Sequence, residues 1–215
     1  MARLIGFSGA HRVGKTTLAK IVAERYGGEF IRTNVSSMLA ALHVNAISLQ
    51  HEPLDRFLDV QDSVLACLTT LIGDLKFRPD NELYVLDRTP VDVLGYTRAY
   101  LNSKAFEQME RLDKMVFNRH QIRVHNSLLR FDHIVHIQPG IRVVDEAGKA
   151  LPDLIYMDQL NKLMLGELAY SALKGCSSLP KYIYLPQHII NLEERVKWLS
   201  EQLDSHYQNT ELNHV

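Results

Sequence analysis

Short apolar runs alternate with longer amphipathic stretches from one end of this chain to the other. Five runs rich in branched and aromatic residues predict β-strands, at 3–7, 29–33, 83–87, 133–138 and 182–185. Their near-continuous apolar content is typical of strands that are covered on both faces. The stretches between them predict helices at about 15–26, 36–47, 53–76, 91–127 (broken near Asn102-Ser103), 155–173 and 191–203. This alternation predicts an α/β fold built on a parallel sheet.

The last predicted helix shows how its boundaries follow from the sequence. Asn191 suits the N-cap, and Glu194 stands three residues later, where its side chain completes a capping box. An apolar stripe then follows one face, formed by Leu192, Val196, Leu199 and Leu203. Beyond the stripe, the polar segment 205–215 is expected to be a flexible tail. No repeat, low-complexity tract or linker divides the 215 residues, which are expected to form one domain, 1–215.

Composition narrows the class of protein without naming an activity. Hydrophobic residues make up 46% and charged residues 23%, as in globular proteins, which excludes disordered and fibrous classes. We expect a cytoplasmic protein of a bacterial cell or phage-infected host, because no apolar run approaches the roughly 18–20 residues of a membrane span and the first residues lack a signal-peptide pattern. Cys67 and Cys176 have no metal-ligand spacing and are interpreted as free thiols. A net charge of −1 provides no global attraction to nucleic acid or membrane.

Directly after the first predicted strand comes a complete G-x-x-x-x-G-K-[ST] motif, which we call the phosphate loop. It consists of Gly9, Ala10, His11, Arg12, Val13, Gly14, Lys15 and Thr16, and Thr17 follows. The two glycines allow backbone angles and close approaches that a Cβ would block. The loop N–H groups and the following helix N-terminus then face anionic oxygens. We therefore predict an ATP site at residues 9–17, with Lys15 on the β- and γ-phosphates and Thr16 on Mg²⁺.

A second motif is the strand 83–87, which ends in Asp87 and is followed by Arg88. An apolar strand ending in aspartate has the form of a Walker B element, whose carboxylate lies near Mg²⁺. ATP-hydrolysing motors often carry glutamate where this chain has Arg88, and the N-K-x-D and D-x-x-G motifs of guanine-specific switches are absent. A carboxylate and a guanidinium together suit phosphoryl transfer to a bound acceptor. Both residues are therefore candidate catalytic residues.

The phosphate loop, the stretch from Asp87 to Tyr96, and the final strand with the Glu194-Arg195-Val196 helix resemble the P-loop nucleoside and nucleotide kinases. The similarity is greatest to the AAA_28 family, which includes the ribosylnicotinamide kinase domain of NadR-type proteins and many bacteriophage proteins. The resemblance implies a three-layer fold with a five-stranded parallel sheet, in which strand 83–87 lies beside strand 3–7. It implies that Asp87 acts as a metal-water ligand or general base and that Arg88 lies on the acceptor side. It also implies a lid at about 139–153, in which Arg142 is the preferred catalytic arginine.

Several residues are candidates for binding the acceptor. Thr33 and Asn34 end the second predicted strand, at the sheet edge where open α/β sheets bind ligands. Asp92 and Tyr96 follow the Asp87-Arg88 pair, and Tyr96 has helix packing as its alternative role to stacking on a base. Residues 111–130 carry five basic side chains against one acid, and Arg119 and Arg123 in this stretch could bind phosphates or form a solvated helix face.

The sequence thus predicts a kinase that transfers the γ-phosphoryl group of MgATP to a hydroxyl or phosphate of a nucleoside- or nucleotide-like acceptor. One alternative is a kinase acting on a hydroxymethylpyrimidine base within DNA, which only the basic stretch favours. A second alternative is an ATP-dependent switch that hydrolyses slowly and has no acceptor.

Overall fold

The computed structural model describes residues 1–45, 48–79, 82–103, 111–141, 153–173 and 180–212. The strands are β1 (Arg3–Ser8), β2 (Glu29–Ile31), β3 (Leu83–Leu86), β4 (His133–Ile137) and β5 (Lys181–Leu185). The helices are α1 (Lys15–Arg25), α2 (Val35–Ala41), α3 (Leu54–Lys76), α4 (Pro90–Ser103), α5 (Arg111–Leu128), α6 (Leu154–Leu173) and α7 (Leu192–Leu212), with a 3-10 turn at Ser48–His51.

All five strands are parallel and lie in the order β2-β3-β1-β4-β5. β1 is therefore central, with β3 on one side in a register that pairs Ile5 with Val85, and β4 on the other, where Phe7 pairs with Val135. Parallel strands place their carboxyl ends at one edge of the sheet. The segments that follow β1 and β3 consequently meet at this edge, as the resemblance implied.

Helices cover both faces of the sheet, which confirms the three-layer fold. Leu4 of β1 belongs to a core formed with α3 and α5, whereas Ile5 and Phe7 belong to a core formed with α1 and α7. Successive residues alternate between these two cores because successive side chains of a strand point to opposite faces. Both faces of β1, β3 and β4 are buried, which explains their near-continuous apolar runs, whereas the edge strands β2 and β5 are partly exposed.

The observed boundaries differ from the predicted ones mainly at the ends of elements. β2 ends at Ile31, two residues early, because the backbone of Thr33 turns to bind Asp87 instead of continuing the ladder. The predicted helix 36–47 is shorter, Val35–Ala41, and α7 extends to Leu212, beyond the apolar stripe that was used to predict its end. Asn191 caps α7 as predicted, since its side-chain oxygen accepts from the N–H groups of Glu193 (2.8 Å) and Glu194 (3.3 Å).

Candidate active site

The phosphate loop joins β1 to α1 through three residues with positive φ: Gly9 (140°), Arg12 (63°) and Gly14 (89°). A Cβ on Gly9 would lie 2.4 Å from the carbonyl oxygen of Ile137 in β4, so only glycine allows this close approach. Arg12 adopts the left-handed conformation without that freedom, and both terminal nitrogens of its guanidinium are buried with no hydrogen-bond partner in the described part of the chain. The loop thus carries local strain and unsatisfied donors at the place where an anion is predicted.

Lys15 lies folded back across the loop from the first residue of α1. Its side chain is 7% exposed, and its ammonium donates to the carbonyls of Gly9 (2.5 Å) and Ala10 (2.7 Å). Asp92 supplies the nearest carboxylate, 3.7 Å from Nζ. Burial lowers the pKa of Lys15 to about 8, and the attraction of Asp92 opposes this shift. The site therefore holds a cation that is mostly protonated at pH 7, that donates to two neutral carbonyls and that has Asp92 as an ion-pair partner.

Asp92 braces the turn between β3 and α4 against the phosphate loop. One carboxylate oxygen accepts from the backbone N–H of Gly9 (3.2 Å), and the other accepts from the N–H (2.9 Å) and hydroxyl (3.0 Å) of Thr89. The residue is only 1% exposed. These contacts place Asp92 beneath the loop. They give it a structural role that the sequence did not indicate, in addition to its predicted role as an acceptor ligand.

Asp87 lies at the carboxyl end of β3, beside Thr16 of α1. The hydroxyl of Thr16 donates to one oxygen of Asp87 at 3.0 Å. The other oxygen accepts from the backbone N–H (3.0 Å) and the hydroxyl (2.9 Å) of Thr33, which leaves β2 at this point. The fold thus brings together the two predicted metal ligands, and it places Thr33, predicted to touch the acceptor, as a residue that orients Asp87.

Polar and aromatic side chains of α4, α6 and the 3-10 turn lie near His11 of the phosphate loop. Nδ1 of His11 lies 3.3 Å from the hydroxyl of Tyr96, and the hydroxyl of Tyr156 on α6 accepts from Gln50 (3.2 Å). The rings of His11 and Tyr156 are 6.3 Å apart. Burial lowers the pKa of His11, and the charges of Lys15, Arg12 and Arg88 lower it further, so this imidazole is neutral at pH 7. Burial raises the pKa of Tyr96, and the positive charge of Arg88 opposes this rise.

Other predicted residues lie elsewhere. Arg119 and Arg123 form ion pairs with Asp62 of α3, at 3.9 and 2.9 Å, on the surface between α3 and α5. The structure does not bring these two arginines to the phosphate loop. Asn34 is exposed at the N-cap of α2, in the segment that follows β2. Arg142 and most of the predicted lid lie outside the described residues.

Three residues near the site were missed by the sequence analysis: Gln50, Tyr156 and Arg195. Gln50 and Tyr156 meet through a contact between residues 106 positions apart. Arg195 of α7 donates to the carbonyl of Val13 at 3.0 Å, across 182 positions. Two signals were available, the position of Tyr156 at the start of a helix after the predicted lid and the place of Arg195 in the helix that carried the family resemblance, but no local pattern marks contacts over such separations.

Comparison with known proteins decides the family. The model of the AAA_28 family, described as an AAA domain, matches residues 4–151. The chain belongs to the AAA_28 family. No curated protein matches this AAA_28 chain.

The solved structures that resemble this AAA_28 protein include nucleoside kinases. The M. mycoides deoxyadenosine kinase with bound dCTP has a TM-score of 0.65 at 12% identity, and the match covers 94% of this chain and 99% of the kinase. The NadR protein in complex with NAD and AMP-PNP has a TM-score of 0.56 at 16% identity, covering 93% of this chain and 48% of NadR. The Bacillus subtilis YorR protein in complex with phosphorylated GDP has a TM-score of 0.52 at 11% identity, covering 95% and 98%. These matches show that the AAA_28 chain has the fold of P-loop nucleoside kinases.

Within the described ranges, no helix of the AAA_28 protein is both long and apolar enough to cross a bilayer.

Proposed function

We propose that this protein is an ATP-dependent kinase that transfers the γ-phosphoryl group to a nucleoside- or nucleotide-like acceptor. One observation carries the proposal: a buried Lys15 within the phosphate loop lies next to a Thr16–Asp87 pair whose oxygens are 3.0 Å apart. The pair joins the first residues of α1 to the end of β3. Phosphoryl transfer requires chiefly positioning and charge neutralisation, which this arrangement of fixed charges and N–H groups is suited to supply.

The oxygens of Thr16 and Asp87 fit a magnesium ion. Mg²⁺ prefers oxygen ligands and is usually bound through one or two carboxylates together with substrate phosphates. In this protein the Thr16 hydroxyl donates to the carboxylate, so both oxygens face the same small volume beside the phosphate loop. We propose these two residues as the ones that hold Mg²⁺ with ATP, and the ion would neutralise charge on the phosphates. Thr33 orients the carboxylate from its other side.

Lys15 and the loop backbone would bind the triphosphate itself. Because the ammonium now donates to neutral carbonyls of its own loop, phosphate oxygens offer it stronger, charge-assisted hydrogen bonds. Asp92 holds Gly9 and Thr89 in place from below. We therefore propose a bracing role for Asp92 in place of acceptor binding.

The acceptor is proposed to lie over Arg88 and the two tyrosines near His11, Tyr96 and Tyr156. Arg88 would place a positive charge on an acceptor phosphate or on the transferring group, while Tyr96 and Tyr156 offer aromatic surfaces to a base. Asn34 lies at the same sheet edge with an exposed side chain. The deoxyadenosine kinase that shares this fold has been crystallised with nucleotides, including its products dCMP and dCDP. This supports a nucleoside-like acceptor, and the lid arginine Arg142 stays a prediction.

The described residues do not favour DNA as the acceptor, because Arg119 and Arg123 of the basic stretch that suggested it are paired with Asp62. The proposal is tested with γ-labelled ATP and Mg²⁺, mixed separately with nucleosides, nucleotides, nicotinamide riboside and hydroxymethylated DNA. Label that appears on a small acceptor, and is lost with Lys15→Ala, supports the proposal. Label that appears only as free phosphate, whatever acceptor is added, would identify a hydrolytic switch instead, and transfer to DNA alone would identify the DNA-modifying alternative.

A further inference from the structure

Arg195 of α7 is buried against the phosphate loop, although it lies far from that loop in sequence. The residue is 2% exposed. Its Nη1 donates to the carbonyl of Val13 at 3.0 Å, and its Nε donates to the carbonyl of Ile189 at 3.0 Å. A Cβ on Gly14 would lie 3.2 Å from Nη1, so the glycine of the motif gives this guanidinium room to approach. Arg195 thus spans the phosphate loop and the segment between β5 and α7.

A loop that points its N–H groups at an anion has to turn its carbonyls away from that anion. Each carbonyl that is turned away and buried needs a donor, because an unpaired buried carbonyl is costly. Lys15 holds the carbonyls of Gly9 and Ala10, but in the proposed function its ammonium is required by the phosphates. The bond from Arg195 to Val13 does not depend on a group that the nucleotide recruits. It is therefore suited to hold the loop in one shape with and without nucleotide.

Stability alone does not account for this placement. The third guanidinium nitrogen, Nη2, is buried without a hydrogen-bond acceptor among the residues the structure describes. Burying a charged donor that stays unpaired opposes folding, and this cost offsets part of the stability that the bond to Val13 supplies. An arginine at this position consequently points to a requirement beyond packing.

We propose that Arg195 is a positioning residue for the donor nucleotide, which fixes the phosphate loop through Val13 and ties it to the segment after β5 through Ile189. This inference rests on the proposed function, because it assigns Arg195 to binding of the nucleotide that the kinase would use. The ends of β1 and β5 lie at the same edge of the sheet, so one guanidinium can contact the segments that follow both strands. The contact supports the bound nucleotide equally in the ground state and in the transition state. Its loss should therefore raise the KM for MgATP more than it lowers kcat.

The test compares Arg195→Met and Arg195→Lys with a matched control, Arg98→Met, in the full chain. Arg98 also pairs with a buried partner, Glu167, but lies on α4 away from the loop. We expect Arg195→Met to raise the Kd and KM for MgATP roughly 10- to 100-fold, the effect of losing a charge-assisted hydrogen bond, with kcat changed less than about 3-fold. Arg195→Lys, which retains the charge and one donor group, should fall between this variant and wild type.

A readout that a merely structural role would not move is the rise in Tm on adding MgATP. Arg98→Met should lower the Tm without nucleotide and keep the full rise, whereas Arg195→Met should lose most of it. If Arg195→Met and Arg195→Lys keep the wild-type rise and Kd, the inference is wrong. If Arg195→Met does not fold, the Kd and the rise in Tm of Arg195→Lys alone test the inference.

Failure of the proposed function gives a different pattern. If wild type binds MgATP but transfers phosphate to no acceptor, the function is wrong and the variants still test the inference through Kd. If wild type does not bind MgATP, binding of inorganic tripolyphosphate replaces it as the probe of the loop. A wild-type chain that binds neither probe overturns both.

Discussion

Replacing Asp92 with asparagine separates its bracing role from the acceptor-binding role that its sequence position suggested. Asparagine has nearly the same shape, but it offers a single side-chain oxygen where aspartate offers two. The carboxylate now accepts from Gly9 N on one oxygen and from the N–H and hydroxyl of Thr89 on the other. Whichever way the amide is turned, at least one buried backbone N–H then faces an NH₂ group, and Lys15 loses its carboxylate 3.7 Å away.

The expected cost follows from these contacts. A buried donor left without its acceptor costs about 1–3 kcal/mol, and hydrogen bonds to charged groups are the stronger ones. We therefore expect Asp92→Asn to lower the free energy of unfolding by about 2–4 kcal/mol. For a chain of this length that corresponds to a fall in Tm of roughly 6–12 °C.

The measurement is thermal denaturation followed by circular dichroism, without any ligand. Asp59→Asn on the exposed side of α3 provides the matched control, with an expected change within about 0.5 kcal/mol. If Asp92→Asn unfolds at the wild-type temperature and only raises the KM for the acceptor, the bracing argument is refuted and Asp92 is an acceptor ligand.

Three further predictions concern the phosphate loop. Lys15→Ala should reduce turnover by orders of magnitude while circular dichroism shows an intact fold, and an unchanged kcat would reject the site. Since the pKa of Lys15 is lowered to about 8, raising the pH through 8 should remove its charge and weaken ATP binding, and binding at pH 8–9 should take up protons because the phosphates favour the charged form. Calorimetry in buffers of different ionisation enthalpy measures this uptake, which Lys15→Ala should lack. Arg12→Gly should relieve the strain of the left-handed backbone at φ 63° and raise the free energy of unfolding by about 1 kcal/mol, while the affinity for ATP falls. A Tm below that of wild type would contradict the assignment of strain.

Much of the site could be predicted because the relevant residues are close in sequence or mark the ends of strands. The segment from β1 through the phosphate loop into α1 is a single local unit, so its motif predicts its own backbone. Asp87 and Thr16 could be paired because a parallel sheet brings the ends of neighbouring strands to one edge. That they lie 3.0 Å apart was decided by the packing of α1 beside β3, and Thr33 binds the other oxygen of Asp87 because β2 ends at Ile31.

The contacts that were not predicted join distant parts of the chain, and the side chains that form them belong to no sequence motif. Arg119 and Arg123 formed a plausible phosphate-binding face in the sequence, yet Asp62 of α3 lies against both. The charge of a segment says nothing about which helix packs beside it. For the same reason Tyr156 was missed, because its contact with Gln50 requires α6 to lie over the 3-10 turn.

The amino-acid sequence by itself determined the succession of strands and helices along the chain, the phosphate loop and the carboxylate after β3, since periodicity and short motifs are properties of neighbouring residues. Tertiary structure alone decided that Asp92 lies beneath the loop and that Arg195 reaches Val13 from the opposite end of the chain. Such pairings form when helices bury their apolar faces on the sheet, and packing between segments that are distant in sequence fixes which polar groups meet there.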